Sequence, residues 1–120
     1  MNMKSISKTA IEKAINIFDS VGWVNAAGYP EGAMMKRLSE EGGVRTFIMK
    51  VPEGYYLKEH SHSFCEQQFL LKGKYLVNGE LHDEGTFLHY KPNENHGPYE
   101  VLSPSLILVI YYPESLTQQN

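Results

Sequence analysis

The sequence predicts an all-β domain, a sandwich or a small barrel, with one short α-helix at its N-terminal end. From residue 33 onward, short runs of apolar, β-branched and aromatic residues are separated by turns that contain Gly, Pro or Asn. Asn78 and Gly79, between two such runs, form a strong hairpin signal. Many short strands joined by Gly-rich turns are typical of sandwiches and barrels. A chain of 120 residues fits a single domain with one core.

The predicted helix covers residues 9–21. Apolar residues recur at the i, i+3, i+4, i+7 spacing of one helix face, at Ile11, Ala14, Ile15 and Phe18. Thr9 and Glu12 match a capping box, and Gly22 stands where a glycine commonly ends a helix. The apolar face is expected to pack on the barrel or on a partner subunit.

The barrel is expected to span residues 33–112, after an irregular segment at residues 23–32. Strands are predicted at residues 33–38, 44–51, 55–62, 66–72, 74–78, 81–82, 86–90 and 106–112. Residues 92–98, with a Pro at either end, are predicted to form a loop.

Charge and composition exclude several classes of function. The net charge is −3 and the pI is near 5.9, so the chain lacks the electrostatic footprint of a nucleic-acid-binding protein. Its basic residues are scattered, which argues against a membrane-surface patch. No apolar run is long enough to span a bilayer, and residues 1–8 do not resemble a signal peptide. Cys65 is the single cysteine, which excludes an internal disulfide, and we expect a cytoplasmic protein.

A pair of histidines, His60 and His62, is the most informative feature of the sequence. Side chains on a β-strand alternate with period 2, so these two imidazoles would share one face of a strand, whereas a helix would point them apart. Imidazole is the commonest metal ligand among side chains, and such pairs suit Fe, Zn, Cu, Ni or Mn. Glu66 lies an even number of residues from both histidines, so a continuing strand register would aim it to the same side. The pair is therefore interpreted as a metal chelate.

The residues around this pair follow a recognisable spacing. The order is Gly54, five residues, His60-Ser61-His62, three residues, Glu66, six residues and Gly73. This spacing resembles the first signature of the cupin superfamily at each fixed position. The second cupin signature begins with Gly and places its last His eleven residues later, and Gly85 and His96 keep that separation. The residues just before His96 depart from the usual Pro-x-Gly, so the loop that carries this ligand is expected to differ.

The resemblance implies a cupin double-stranded β-helix, which is a jelly-roll barrel. It implies that His60, His62, Glu66 and His96 converge inside the barrel on one divalent metal ion. Three imidazoles and a carboxylate leave one or two coordination positions free for water, substrate or O₂, as catalytic metal sites do. These ligands suit Fe(II), Mn(II), Ni(II), Co(II) or Zn(II).

Flanking residues narrow the likeness to small cupins, which include acetylacetone-cleaving dioxygenases and the zinc-binding cupin domain of anti-sigma factors. These residues are Trp23, Glu31-Gly32-Ala33, Lys36, Leu38 and the run from Gly85 to Tyr90. This likeness indicates a family neighbourhood and not a substrate, and the first hypothesis is a non-haem dioxygenase, with Fe(II) favoured, acting on a small enolic, phenolic or β-diketone-like substrate. Glu66 would be a fourth ligand or a base, and His89 would line the cavity as a substrate contact or as support for a ligand.

Two other functions stay open. The same ligands would serve a non-redox isomerase, lyase or cyclase, which would tolerate several metals and need no O₂. A module that senses a metal or a small ligand is the third reading, suggested by the likeness to anti-sigma domains. Cupins commonly dimerise, and residues 106–112 or the predicted helix at residues 9–21 could supply a homodimer interface.

Overall fold

The computed structural model describes residues 11–117 of the chain. Its elements, in chain order, are β1 (Trp23–Asn25), β2 (Met34–Glu41), β3 (Val44–Val51), β4 (Tyr56–Leu57), β5 (Cys65–Val77), β6 (Glu80–Asp83), β7 (Phe87–Tyr90), β8 (Tyr99–Tyr112) and a 3-10 helix (Glu114–Thr117). The predicted all-β class is confirmed. No helix within residues 11–117 is long and apolar enough to cross a membrane.

Two long strands, β5 and β8, organise the barrel. They pair with each other, and the hydrogen-bonded order of the sheet is β1-β2-β3-β8-β5-β6. Along its other edge, each long strand pairs with two different strands in succession. The first part of β5 pairs with β7 and its last part with β6, while β8 pairs first with β4 and then with β3. All of these pairings are antiparallel, and the sheet surrounds one core.

The register of β5 with β8 shifts around Gly73. The sequence predicts two strands separated by this glycine, and the structure instead shows one strand of 13 residues with shifts of register beside it. Gly73 has φ of +99°, and a Cβ there would lie 2.6 Å from the carbonyl oxygen of Pro104. Only glycine fits a position that combines a left-handed backbone with so close an approach of another strand.

Alternate residues of β3, β5 and β8 fill the core. The buried apolar residues of these strands that pack together are Phe47, Met49, Val51, Leu70, Tyr75, Tyr99, Val101, Ile107, Val109 and Tyr111. Residues 106–112 therefore belong to a central strand between β3 and β5, with one face in the core. This differs from the expectation that the segment is an exposed strand that could form a dimer interface.

The predicted N-terminal helix is wrong over residues 11–21, which form turns and irregular backbone, and Thr9 of its capping box lies outside the described residues. Most helical stability in proteins comes from burying an apolar face, but Ile11 and Phe18 are 76% and 78% exposed. The segment is instead held by Lys36, whose buried ammonium donates to the carbonyl oxygen of Asn16 and to Asp19 Oδ1 at 2.6 and 2.5 Å. The hydrogen bond from Lys36 lowers the pKa of Asp19.

Candidate metal centre

His60 and His62 lie in an extended segment between β4 and β5, not inside a strand as predicted. His60 forms an isolated antiparallel bridge with His96, whose two backbone N–O distances are 3.0 and 2.9 Å. The amide of Asn93 also donates to the carbonyl oxygen of His62, at 2.6 Å. These bonds tie the loop before His96 to the histidine pair. They fix the aim of His96 although the loop departs from the cupin pattern.

The three imidazoles form one cluster. Their ring centroids are 4.9 Å apart for His60 and His62, 4.3 Å for His60 and His96, and 5.4 Å for His62 and His96. One nitrogen of each ring lies within 4.8 Å of the other two, so the three residues could hold a metal ion. The structure thus brings together the three histidines that the sequence singled out.

Glu66 reaches the same cluster from β5, where it is 3% exposed. A turn separates it from His62, but its even register still points it inward. Its Oε1 lies 3.3 Å from Nε2 of His62 and 3.7 Å from Nε2 of His96. Glu66 thus lies next to His62 and His96, whereas the group whose possible ligand atoms all lie within 4.8 Å of one another consists of the three histidines.

Hydrogen bonds set the tautomers of two of the rings. Nδ1 of His60 is 2.9 Å from the carbonyl oxygen of Lys58, which only accepts, so this nitrogen carries the proton. Nδ1 of His96 is 2.9 Å from the hydroxyl of Tyr99. Because that hydroxyl donates its own proton to the hydroxyl of Tyr90, His96 donates from Nδ1. In both rings Nε2 is left with a lone pair for a metal.

Unpartnered buried atoms provide a test of whether this set fits a metal. Nε2 of His62 and Oε1 of Glu66 are both buried and have no hydrogen-bond partner among the described residues. Buried polar atoms are nearly always satisfied, and leaving them without a partner is costly. Imidazole nitrogens and a carboxylate oxygen that lie this close together suit a divalent cation. The residues therefore fit the metal that the sequence implied.

A buried network of hydrogen bonds holds the side chains of Glu66 and His96. Gln68 donates to Oε2 of Glu66 at 2.5 Å and to the hydroxyl of Tyr99 at 3.2 Å, and it accepts from the hydroxyl of Tyr75 at 3.0 Å. Burial raises the pKa of the phenols of Tyr75 and Tyr99, so both stay protonated and donate hydrogen bonds. One carboxylate oxygen of Glu66 is thus held while the other remains available to the cluster.

A small, partly open cavity of about 40 Å³ lies beside Glu66 and His60. Its lining residues are Tyr29, Met49, Val51, Tyr55, Leu57, His60, Glu66, Gln68, Tyr75, Tyr99, Val101, Ile107 and Val109. The walls are mainly apolar, with a few polar groups that converge near the metal cluster, as in many small-molecule sites.

His89 does not join this site. The register of β5 and β7 pairs Gln67 with His89 and Glu66 with Tyr90, which puts His89 on the outer, exposed face. Its Nε2 is 3.0 Å from the hydroxyl of Tyr112. The ring of Tyr90 faces inward instead and stacks on His96, with a centroid distance of 4.0 Å. The expectation that His89 lines the cavity is therefore corrected.

Sequence reasoning missed Gln68, Tyr90 and Tyr99 as supports of the ligands. Gln68 follows Glu66 by two residues in the same strand, so alternation alone could have placed it on the inner face. Tyr90 and Tyr99 contact His96 only because the fold brings β7 and β8 next to it. No spacing in the sequence predicts these contacts.

The lowered pKa of His96 predicts how the stability of the metal-free protein depends on pH. Burial lowers the pKa of His96 from 6.5 to about 4, although the charge of Glu66 acts in the opposite direction. Below pH 6.5 the unfolded chain takes up a proton that the folded chain does not, so stability falls as the pH drops toward 4. The full loss is on the order of 3 kcal/mol.

Urea unfolding of the metal-free protein between about pH 7 and about pH 5 would measure about 2 kcal/mol of this loss. The His96→Gln variant cannot take up the proton, so its stability should change less over the same range. Equal slopes in the two proteins would contradict the assignment.

Comparisons with known proteins agree with this geometry. A sequence profile of the ChrR cupin-like domain matches residues 12–113. An acetylacetone dioxygenase from Acinetobacter johnsonii superposes with a TM-score of 0.71 at 20% identity, over 88% of this chain and 76% of that chain. A proposed acetylacetone dioxygenase from Methylibium petroleiphilum has a TM-score of 0.68 at 25% identity, over 87% and 79% of the two chains.

A chain of the Rhodobacter sphaeroides complex of SigE with the anti-sigma ChrR superposes with a TM-score of 0.65 at 18% identity. The match covers 78% of this chain but 51% of that one, so this chain spans about half of its length. A comparison with curated protein sequences gives no match. The structural neighbours confirm the predicted cupin jelly-roll fold. Because the profile covers most of the sequence, the chain belongs to the ChrR cupin-like domain family of cupins.

Proposed function

We propose that this cupin is a non-haem metal-dependent dioxygenase that acts on a small enolic or β-diketone-like substrate. One observation carries the proposal: three imidazole donors lie together, with the unpartnered Oε1 of Glu66 nearby, beside a small, mainly apolar cavity. Such an arrangement binds a metal and still presents a base to a small molecule.

Each group has a role in this proposal. His60, His62 and His96 would hold the metal, and Fe(II) bound there would supply the one-electron chemistry that O₂ requires. Oε1 of Glu66 would be a fourth ligand until the substrate binds and would then leave the metal to accept the acidic proton from the carbon between two carbonyl groups, while its Oε2 stays held by Gln68. The removed proton stays on Glu66 until the products leave.

The other cavity residues would orient the substrate and exclude water. Tyr75 and Tyr99 line the cavity, and because their hydroxyls donate to Gln68 and Tyr90 they would hold the polar wall of the cavity in place. Apolar side chains such as Met49, Val101 and Ile107 would contact the carbon skeleton. The cavity volume of about 40 Å³ is room for about one water molecule, so a diketone would enter only if lining side chains move.

The likeness to acetylacetone dioxygenases motivates the choice of a β-diketone as the test substrate. The full chain would be stripped of metal, loaded anaerobically with Fe(II) or with Zn(II), and mixed with acetylacetone in an oxygen-electrode cell. We expect the Fe(II) protein to consume O₂ as the diketone is lost, and the Zn(II) protein to consume none. Conversion without O₂ in the Zn(II) protein would contradict the dioxygenase proposal and favour a non-redox isomerase, lyase or cyclase.

A second candidate is a module that senses a metal or a small ligand. The family match to the ChrR cupin-like domain favours it, as does the likeness to a chain of the SigE complex with ChrR. For a sensor we expect metal binding without turnover of the diketone under any loading. Steady O₂ consumption by the Fe(II) protein would contradict it.

A further inference from the structure

Both arginines of the sequence line one cleft beside the barrel. The chain contains 11 basic residues, and only Arg37 and Arg45 are arginines, since all the others are lysines. The cleft has a volume of about 310 Å³. Arginine and lysine are not interchangeable, because the planar guanidinium matches a carboxylate with two parallel hydrogen bonds and also stacks on aromatic rings.

The pairing of β2 and β3 puts the two arginines on the same face. Arg37 lies directly opposite Phe47, which is buried in the core. Arg45 lies two residues before Phe47 in β3, and side chains two residues apart in a strand lie on the same face. Arg37, Arg45 and Phe47 therefore share one face of the sheet. The register of the two strands shifts between Arg37 and Ser39, and both arginine side chains line the same cleft.

Neither guanidinium is neutralised by an acidic side chain. Within residues 11–117, no carboxylate lies within 4.0 Å of Arg37 or Arg45, in contrast to Lys36, which is paired with Asp19. Glu40 lines the cleft and is opposite Arg45 in the register, but it makes no ion pair with it. The cleft therefore offers two cationic groups without a bound counter-charge.

Aromatic rings hold Arg45 in place and connect the cleft to the metal site. The Arg45 guanidinium carbon lies 5.2 Å from the ring centroid of Phe64 and 5.0 Å from that of Tyr111. The same two rings contact His62, at centroid distances of 4.8 and 5.4 Å. The N–H donors of Arg45 lie in the plane of its guanidinium, so stacking on aromatic rings leaves them available for hydrogen bonds.

The floor of the cleft is also suited to an organic molecule. The hydroxyls of Tyr29 and Tyr111 lie 2.6 Å apart, and Tyr29 lines both this cleft and the small cavity beside Glu66. Met35 and Phe47 add apolar wall. A pocket with apolar walls, two phenols and two guanidiniums matches a small organic acid better than an inorganic anion.

We propose that this cleft binds a small organic carboxylate, with Arg37 and Arg45 contacting the carboxylate and the aromatic and Met side chains contacting its carbon skeleton. The binding needs neither metal nor O₂, so it goes beyond the reaction proposed above. Because the cleft shares Tyr29 with the small cavity and Tyr111 contacts His62, a carboxylate held there lies against the wall of the metal site.

The test is an NMR titration of the full metal-free chain with benzoate, with its neutral analogue benzamide, and with inorganic phosphate. We expect saturable shifts of the amide signals of Tyr29, Arg37 and Arg45 with benzoate, and at least about tenfold weaker binding of benzamide and of phosphate. Equal binding of benzoate and benzamide, or tighter binding of phosphate, would overturn the proposal.

Variants assign the contacts. Arg45→Gln and Arg37→Gln should each weaken benzoate binding about tenfold. Lys74→Gln removes the same charge from an exposed site away from the cleft and should leave binding unchanged. If the Lys74 variant loses as much affinity as the arginine variants, only net charge is at work and the site is rejected. Benzoate binding that appears only after metal loading would also overturn the proposal, whatever the outcome of the oxygen measurements.

Discussion

The His62→Ala variant should lose more than about 100-fold in affinity for a divalent metal, because removing a direct ligand costs more than disturbing the residue that orients it. Nε2 of His62 is buried and has no partner among the described residues, so the structure gives it no other evident task. The side chain is partly exposed, and its loss should leave the barrel folded. Competition with a chromogenic chelator would measure the affinity of the wild-type and variant chains.

His82→Ala is the matched control. This imidazole lies on β6, near Glu80 and the ring of Tyr75, and it is outside the cluster of three histidines. It should bind metal as the wild type does. If both variants retain wild-type affinity, the three-histidine cluster is not the metal site.

The Glu66→Gln variant should stabilise the metal-free protein while weakening its metal binding. In the wild type, Oε1 of Glu66 is buried without a hydrogen-bond partner next to Nε2 of His62. The amide oxygen of glutamine could still accept from Gln68, and its NH₂ group would donate to Nε2 of His62 across the same 3.3 Å gap. Satisfying two buried atoms and removing a buried charge should raise the free energy of unfolding by about 2 kcal/mol.

Urea unfolding with and without Zn(II) separates the two effects. The variant should be more stable than the wild type without metal, and it should gain less on metal addition because a neutral oxygen or amide is a poorer ligand than a carboxylate. Glu100→Gln changes an exposed carboxylate and should alter neither quantity. A Glu66→Gln chain that is less stable than the wild type without metal would show that the carboxylate is needed for folding.

The sequence predicted that His60, His62 and His96 lie together with Glu66 nearby, because the spacing of these residues follows a recognisable pattern. Glu66 follows the His pair at a distance that keeps it on the inner face, even though the His pair lies outside any strand and a turn intervenes. His96 was predicted from its distance to Gly85 alone. Its actual position depends on the backbone bridge to His60, which forms between segments far apart in the chain.

The features that the sequence did not predict depend on long-range packing. Residues 11–21 have helical periodicity, but the buried ammonium of Lys36 binds their carbonyl and carboxylate oxygens and the apolar side chains stay largely exposed. His89 alternates correctly with Phe87, yet only the pairing of β7 with β5 shows that this face is the outer one. The arginine cleft likewise needs the register of β2 and β3, which composition does not reveal.

The most direct test of the metal centre is X-ray absorption spectroscopy of the full chain loaded with one equivalent of Zn(II) or Fe(II). The account predicts one metal per chain, with scattering from three imidazole rings and at least one oxygen ligand. In the His62→Ala variant the imidazole scattering should fall by one ring. A wild-type protein that binds no metal stoichiometrically, or whose metal shows no imidazole scattering, would contradict the assignment of His60, His62, His96 and Glu66 as the metal site.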